Sequence, residues 1–119
     1  MTTGRPRVNI GGTDYELILT TAATKEINER FGGLTKLGSA MSGTQGIETA
    51  CWLIALLANQ GIRRQNLFSS EKLPELTEEA VELLTTPGEI AEMAHVAVEA
   101  IKFDSQRHVE SEPEGGGKN

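Results

Sequence analysis

Residues 8–33, VNIGGTDYELILTTAATKEINERFGG, predict a β-hairpin that leads directly into a helix. Val8 and Ile10 alternate with a polar residue, and the alternation of apolar and polar side chains resumes after the turn. Between the two strands, Gly11 and Gly12 can adopt the positive φ angles that a tight hairpin turn requires. Because a two-stranded hairpin is only marginally stable alone, we expect this one to pack on the rest of the chain.

Helix signals follow the hairpin along most of the remaining chain. Thr20 or Thr21 is a suitable N-cap for the first helix, and the Gly-Gly pair at 32–33 ends it. Thr77 can cap a later helix, and residues 86–89 (TPGE) have the spacing of a capping box with proline at the first helical position. Together with the apolar periodicity, these signals predict helices over about residues 21–31, 34–41, 46–60, 76–85 and 87–103.

The predicted fold is α+β and mainly α, with an N-terminal β-hairpin packed on a bundle of four to five short helices. The hairpin is expected over residues 8–20, within a single domain over residues 1–103. From Asp104 onward the sequence has no apolar periodicity and little to bury. Residues 104–119, which end in PEGGGKN, are therefore expected to form a disordered acidic tail.

The composition limits the classes of function. The 119 residues are enough for one domain with one modest core. The longest purely apolar run, residues 50–58, is far shorter than the roughly 20 residues of a membrane-spanning helix. The single cysteine and the absence of a signal-peptide pattern favour a cytoplasmic protein. The net charge is −6, and residues 71–103 carry two Lys against eight Glu, which argues against nucleic acid because phosphate binding requires a basic face.

Few side chains are candidates for catalysis or metal binding. Glu92 and His95 have the Glu-x-x-His spacing of di-iron bundles, but no second copy of the motif accompanies them, which favours an ordinary exposed helix face. Cys51 lies beside Trp52 in the most apolar stretch, where a neutral buried thiol is the usual state. The paired glycines lack the spacing of phosphate-binding loops. We therefore expect no enzymatic activity, no metal and no cofactor.

The helix predicted over residues 46–60 has apolar side chains around almost its whole circumference. Such a helix is either central in a core or shared with a partner, and a small domain has difficulty enclosing one on every side. Two interpretations stay open: these side chains form the core, or they form a groove for a partner or for self-association. The residues predicted to bind a partner are Trp52, Leu53, Leu56 and Leu57, with a weaker second patch of Ile90, Met93 and Ile101.

The order of these elements resembles that of the tail assembly chaperones of long-tailed bacteriophages and of the related small proteins of gene transfer agents. The resemblance covers about residues 8–103, and its most specific part is the strand-to-helix passage that ends in INERFGG. The stretches that carry it are VNIGGTDYELILTTAATKEINERFGGL, IETACWLIALLANQGIRR and LTEEAVELLTTPGEIAEMAHVAVEAI.

The resemblance implies a protein that acts in the bacterial host cytoplasm during phage assembly and is absent from the mature virion. Such chaperones bind the long, helical tape measure protein, keep it soluble, and promote assembly of the tail tube protein around it. The apolar stripes of such a partner need temporary cover until the tube encloses them. No family motif marks the contact residues, so the assignment of Trp52 and its neighbours rests on the apolar pattern alone.

Two alternative functions stay open at this stage. The chain could be a structural component of the virion, such as a tail or head–tail connector protein. It could also be a small bacterial regulatory binding module, which would need a basic helix or arm. Apart from Arg5 and Arg7, the sequence offers no such arm.

The resemblance also bears on the end of the sequence. In this family the gene is often translated in two versions, and a ribosomal slip near the end of the shorter one produces the longer one. Gly116, Gly117 and Lys118 are compatible with a slippery site of the form G-GGA-AAG. A glycine-rich linker or an expression remnant is the alternative interpretation.

Overall fold

The structure is a computed structural model that describes residues 4–111, with side chains described through Ser105. A two-stranded antiparallel hairpin precedes the helices, and the predicted α+β, mainly helical fold is confirmed. The longest two helices, however, exceed the short helices that were expected. The elements are β1 (Arg7–Ile10), β2 (Thr13–Glu16), α1 (Thr21–Phe31), α2 (Leu34–Ser42), α3 (Gly46–Phe68), α4 (Glu78–Leu84) and α5 (Pro87–Ser111).

The hairpin forms where the sequence predicts it, but its second strand is shorter. Gly11 and Gly12 have φ angles of 62° and 90°, which a residue with a side chain adopts only with strain. The strand β2 ends at Glu16, and one further backbone hydrogen bond, from the Leu17 N–H to the Pro6 carbonyl at 3.0 Å, precedes the packing of the chain on α3. Two consecutive residues, Leu17 and Ile18, are buried, and the Ile18 N–H donates to the Leu57 carbonyl over 3.2 Å. This contact packs the hairpin on the centre of the bundle.

The helix α1 has the boundaries that the sequence predicts. The Thr20 hydroxyl oxygen accepts a hydrogen bond from the Ala23 N–H at 3.0 Å, which satisfies one of the free donors of the first turn. Gly32 ends the helix in the left-handed conformation, and its N–H donates to the Asn28 carbonyl. The core side of α1 presents Ala23 and Ile27, both fully buried.

The helix α3 lies at the centre of the fold, in contact with α1, α2, α4, α5 and β2. It extends to Phe68, whereas the sequence predicted an end near residue 60. Side chains of its last turns bind both α1 and the connection to α4: Arg63 pairs with Glu26 of α1 and with Glu75 of the connection, each at 3.1 Å. Asn66 accepts from the Leu73 N–H at 2.8 Å and donates to the Leu73 carbonyl at 3.0 Å. Residues 61–68, which lie between two of the predicted helices, are therefore helical, and their polar groups bind the returning chain.

Polar contacts hold α5 at two places, within its first turn and near its C-terminal end. Its first turn has the predicted capping box, in which the Thr86 N–H donates to Glu89 at 2.9 Å and the Glu89 N–H donates to the Thr86 hydroxyl at 3.3 Å. Farther along, Asp104 accepts two hydrogen bonds from Arg5, at 2.9 and 2.8 Å, and one from the Leu19 N–H at 2.8 Å. The ordered domain therefore continues past the predicted boundary at residue 103. Residues 112–119 of the predicted tail, including Gly116, Gly117 and Lys118, lie outside the described residues.

Candidate binding surfaces

The residues predicted to form a partner groove at the centre of α3 lie in the core. Leu53 and Leu57 have no exposed surface, and Leu56 is also buried. The prediction of spare apolar surface on this helix is wrong at these positions, because five elements surround α3 and cover its whole circumference. The alternative interpretation, a central core helix, describes the structure. Contact of these side chains with a partner stays a prediction that would require α3 to be uncovered.

Trp52 is the exception within this group, since it is only partly buried. Its ring meets Phe31 of α1 edge to face, with centroids 5.5 Å apart and planes at 71°. The Arg30 guanidinium lies 4.8 Å from the Trp52 centroid and 5.5 Å from that of Phe31, within cation–π distance of both. A cation of the same domain therefore already covers part of the Trp52 ring, and the cluster joins α1 to α3.

The weaker predicted patch on α5 also faces inward. Ile90 is buried, and Met93 and Ile101 are partly buried against the core. On the opposite face, Glu92 and His95 are exposed, as the sequence predicts. Among the residues whose side chains the structure describes, no group of three potential ligands is placed to hold a metal ion.

Cys51 is buried in the core, as predicted for a structural thiol. Burial raises the pKa of the Cys51 thiol, and the neighbouring carboxylates Glu82 and Glu78 raise it further. Burial together with Glu82 also raises the pKa of Glu78, while Arg30 lowers it. The protonated thiol, which is a poor nucleophile, is therefore favoured at neutral pH.

Apolar side chains are exposed at the C-terminal end of α3, although those at its centre are buried. Leu67 is 76% exposed, Phe68 is 90% exposed, and Leu73 on the following connection is also exposed. We call these three residues the terminal surface; charged side chains of both signs adjoin them in sequence, namely Arg63, Arg64, Glu71, Lys72 and Glu75, and Arg63 pairs with Glu75. This surface was not predicted from the sequence, because Leu67, Phe68 and Leu73 lie between the helices predicted over residues 46–60 and 76–85. Two adjacent large apolar residues within a polar stretch were the available signal.

A second apolar surface lies where α2, α3 and α5 meet. This depression, the α3–α5 groove, has a volume of about 360 Å³, and Thr44 supplies the only polar side chain along it. A side chain on Gly46 would place its Cβ 2.3 Å from the Met41 carbonyl oxygen, so glycine allows α3 to begin this close to α2. The lining residues are Met41, Gly43, Thr44, Gly46, Ile47, Ala50, Pro87, Ile90, Ala91 and Ala94.

Two further exposed apolar residues, Leu83 and Leu84, end the helix α4. A Cβ on Gly11 would lie 3.0 Å from Leu84 Cδ1, so this leucine is packed against the hairpin turn. Leu83, by contrast, is as exposed as Leu67, at 76%. It therefore provides a matched position for testing the terminal surface.

Comparisons with protein-family models, with curated proteins and with solved structures find no match for this chain. The resemblance to phage tail assembly chaperones rests on the order and pattern of the sequence elements. Among the described residues, no helix combines the length and the apolar character needed to cross a membrane.

Proposed function

We propose that this protein is a tail assembly chaperone of a long-tailed bacteriophage or gene transfer agent. In this role it binds the tape measure protein, keeps it soluble, promotes assembly of the tail tube protein around it, and is absent from the mature virion. It acts in the bacterial host cytoplasm and without catalysis. The proposal is supported by the sequence resemblance over residues 8–103 and by one structural observation, the terminal surface.

The structural support for binding of an apolar partner is the terminal surface. Phe68 and Leu67 lie on the last turn of a helix whose earlier turns are enclosed, so their exposure is not a consequence of a loosely packed helix. A single exposed apolar residue is common on a monomer, whereas several close in sequence, such as Leu67, Phe68 and Leu73, favour a protein contact. A long helical partner with apolar stripes would cover such side chains by helix-to-helix packing.

The charge distribution supports a protein that holds an apolar partner in solution. Residues 71–103 carry two Lys against eight Glu, whereas residues 60–70, which include the last turns of α3, carry Arg63 and Arg64 and no acidic residue. A strongly charged exterior opposes association between complexes, which an apolar partner would otherwise promote. The acidic residues would thus oppose aggregation of the complexes of chaperone and partner.

The direct test is co-expression with the tape measure protein encoded in the same genome. We expect that protein to be soluble and to co-purify only when this chain is present. Unchanged solubility of the tape measure protein, with nothing co-purifying, would remove the proposed function.

A structural virion component is the second candidate, because exposed Leu83 lies on α4, apart from the terminal surface, and permanent subunits need several contact surfaces. Mass spectrometry of purified particles distinguishes the two: the chaperone is absent from them, and the structural component is present in stoichiometric amount. A regulatory module with a basic arm is disfavoured, since Arg5 pairs with Asp104 and Arg7 with Glu16.

A further inference from the structure

The helix α2 is attached to the rest of the domain by few side chains. Leu37 is its one buried residue, whereas Ala40 and Met41 are partly buried and the other residues of the helix are exposed. Within the part of the chain whose side chains are described, no hydrogen bond, ion pair or ring contact joins α2 to another element. Its side-chain hydrogen bond is internal, from the Ser42 hydroxyl to the Gly38 carbonyl. The helix is therefore held on α3 by apolar contact.

Other elements around α3 have directional contacts in addition to apolar ones. Glu26 of α1 pairs with Arg63 of α3 at 3.1 Å, and the Ile18 N–H, just after β2, donates to the Leu57 carbonyl. The helix α5 is held at its far end by the contacts of Asp104 with the N-terminal segment. Detachment of α2 therefore breaks fewer directional contacts than detachment of any of these elements.

The ends of α2 are formed by glycines and have no capping side chain in the described structure. Gly33 at its N-cap has a φ angle of 142° and follows Gly32 at 93°, so two residues with wide backbone freedom connect α1 to α2. Gly43 is the C-cap, and Gly38 lies within the helix, where glycine is unfavourable. A nine-residue helix of this kind is not stable alone, so its formation depends on its contact with α3.

The helix α4 is a matched comparison because it is also short and also has one buried residue, Val81. Its N-terminus is capped, since the Thr77 hydroxyl oxygen accepts from the Ala80 N–H at 3.0 Å. The buried Asn59 side chain of α3 accepts from the Leu76 N–H and donates to the Leu76 carbonyl, both at 2.7 Å, just before the cap. Length and burial are thus similar in the two helices, and polar anchoring distinguishes them.

The helix α2 covers the N-terminal part of α3. Met41 lines the same depression as Ala50, and Ala40 lines the same depression as Thr49. Thr49 and Ala50 are each only 4% exposed in the closed arrangement. Removal of α2 would uncover the first turns of α3 together with the site that Leu37 fills.

We propose that α2 is a movable cover, which detaches from α3 as a unit in a small fraction of the folded molecules while the other elements stay in place. The chain turns about Gly32 and Gly33, and the open form exposes apolar surface near Thr49 and Ala50 that the closed form hides. Exposure of this surface is then controlled by an equilibrium between two folded forms. The proposal does not depend on a role in tail assembly.

Hydrogen exchange of backbone amides, followed by NMR at urea concentrations below the unfolding transition, tests the proposal on the full chain. We expect the amides of residues 38–42 in α2 to be at least about tenfold less protected than those of residues 81–84 in α4 and 53–60 in α3. Their protection should also be nearly independent of urea, because a local opening exposes little surface. Protection of α2 equal to that of α3 or α4 would overturn the proposal.

Two substitutions outside α2 distinguish a separate opening from unfolding of the whole domain. Ile10→Val removes one buried methyl group of the hairpin, so we expect the protection of α3 amides to fall by about threefold or more. Gly61→Ala places a Cβ in ordinary contact with Ile18, 3.6 Å away, and should raise that protection by about threefold. Because α3 and the hairpin stay folded in the open form, neither variant should change the protection of α2. Changes in α2 that follow those in α3 would contradict the proposal.

A third substitution tests whether α2 opens as a unit. Among the described residues, a Cβ on Gly38 would meet no atom within 4 Å, so Gly38→Ala adds helix propensity without a steric conflict. We expect all measured amides of α2 to gain about fourfold in protection together. No gain, or a gain confined to the immediate neighbours of residue 38, would indicate fraying of single turns and would overturn the cover.

Discussion

The centre and the end of α3 have similar apolar side chains in opposite surroundings. Leu53 and Leu57 at the centre have no exposed surface, whereas Leu67 and Phe68, three to four turns later, are almost fully exposed. Residues 53–60 of α3 are buried by the elements that pack on the helix, whereas Asn66 near its end binds the connection to α4 and its neighbours Leu67 and Phe68 stay exposed. A dense apolar run therefore marks the core here, and an isolated apolar pair marks the candidate contact surface.

The largest expected effect separates these two parts by stability. Leu57→Ala removes fully buried methyl groups and leaves a cavity, so we expect a loss of about 2–5 kcal/mol in the free energy of unfolding. The matched variant Phe68→Ala removes an exposed ring and should change that free energy by less than about 0.5 kcal/mol. Urea denaturation followed by far-UV circular dichroism measures both. Similar losses for the two variants would show that the end of α3 is also part of the core.

A second comparison concerns two ion pairs of the N-terminal segment, a largely buried one with α5 and an exposed one within the hairpin. Asp104 of α5 accepts from Arg5 and from the Leu19 N–H, and the Arg5 and Asp104 side chains are only 17% and 11% exposed. We expect Asp104→Asn to lower the free energy of unfolding by about 1–3 kcal/mol, because it leaves polar groups without their partner. Glu16→Gln breaks the Arg7–Glu16 pair, whose side chains are 56% and 46% exposed, and should cost less than about 1 kcal/mol.

The same denaturation experiment distinguishes the two outcomes for these ion pairs. If Asp104→Asn were no more destabilising than Glu16→Gln, the first residues of the chain would not be anchored to α5, and the extension of the domain past residue 103 would lose its energetic basis.

The smallest expected effect is a pH dependence that arises from Cys51. Burial raises the pKa of this thiol in the folded protein, so the unfolded chain loses the proton first as the pH rises. Stability should therefore be unaffected by this group below its ordinary pKa of about 8.5 and should decrease above it, by at most about 1.4 kcal/mol per pH unit for one proton. Cys51→Ala should remove that part of the slope, although it also lowers stability at every pH. Parallel pH profiles for the two proteins would contradict a raised thiol pKa.

Local features of the fold could be predicted from the sequence. The glycine turn of the hairpin, the Thr20 and Thr77 caps, and the capping box at Thr86 form as expected, because each depends on residues close in sequence. The burial of Cys51 and the exposure of Glu92 also follow from helical periodicity.

Features that depend on distant residues could not be predicted in this way. The continuation of α5 involves Asp104 and Arg5, which lie at opposite ends of the described chain. The enclosure of α3 depends on how five elements fold around it, so a periodic pattern could not distinguish a core helix from a shared one. The α3–α5 groove is formed by three helices, with Gly46 against the Met41 carbonyl, and no single stretch of sequence contains it.

The central claim is that the exposed end of α3, and not its buried centre, contacts the apolar partner. The most direct measurement is the amount of soluble tape measure protein recovered on co-expression with the double variant Leu67→Ser/Phe68→Ser, compared with Leu83→Ser as the matched exposed control. We expect the double variant to fold as stably as the unmodified chain yet fail to keep the tape measure protein soluble, while Leu83→Ser retains that activity. Full activity of a folded double variant, or equal loss with Leu83→Ser, would contradict it.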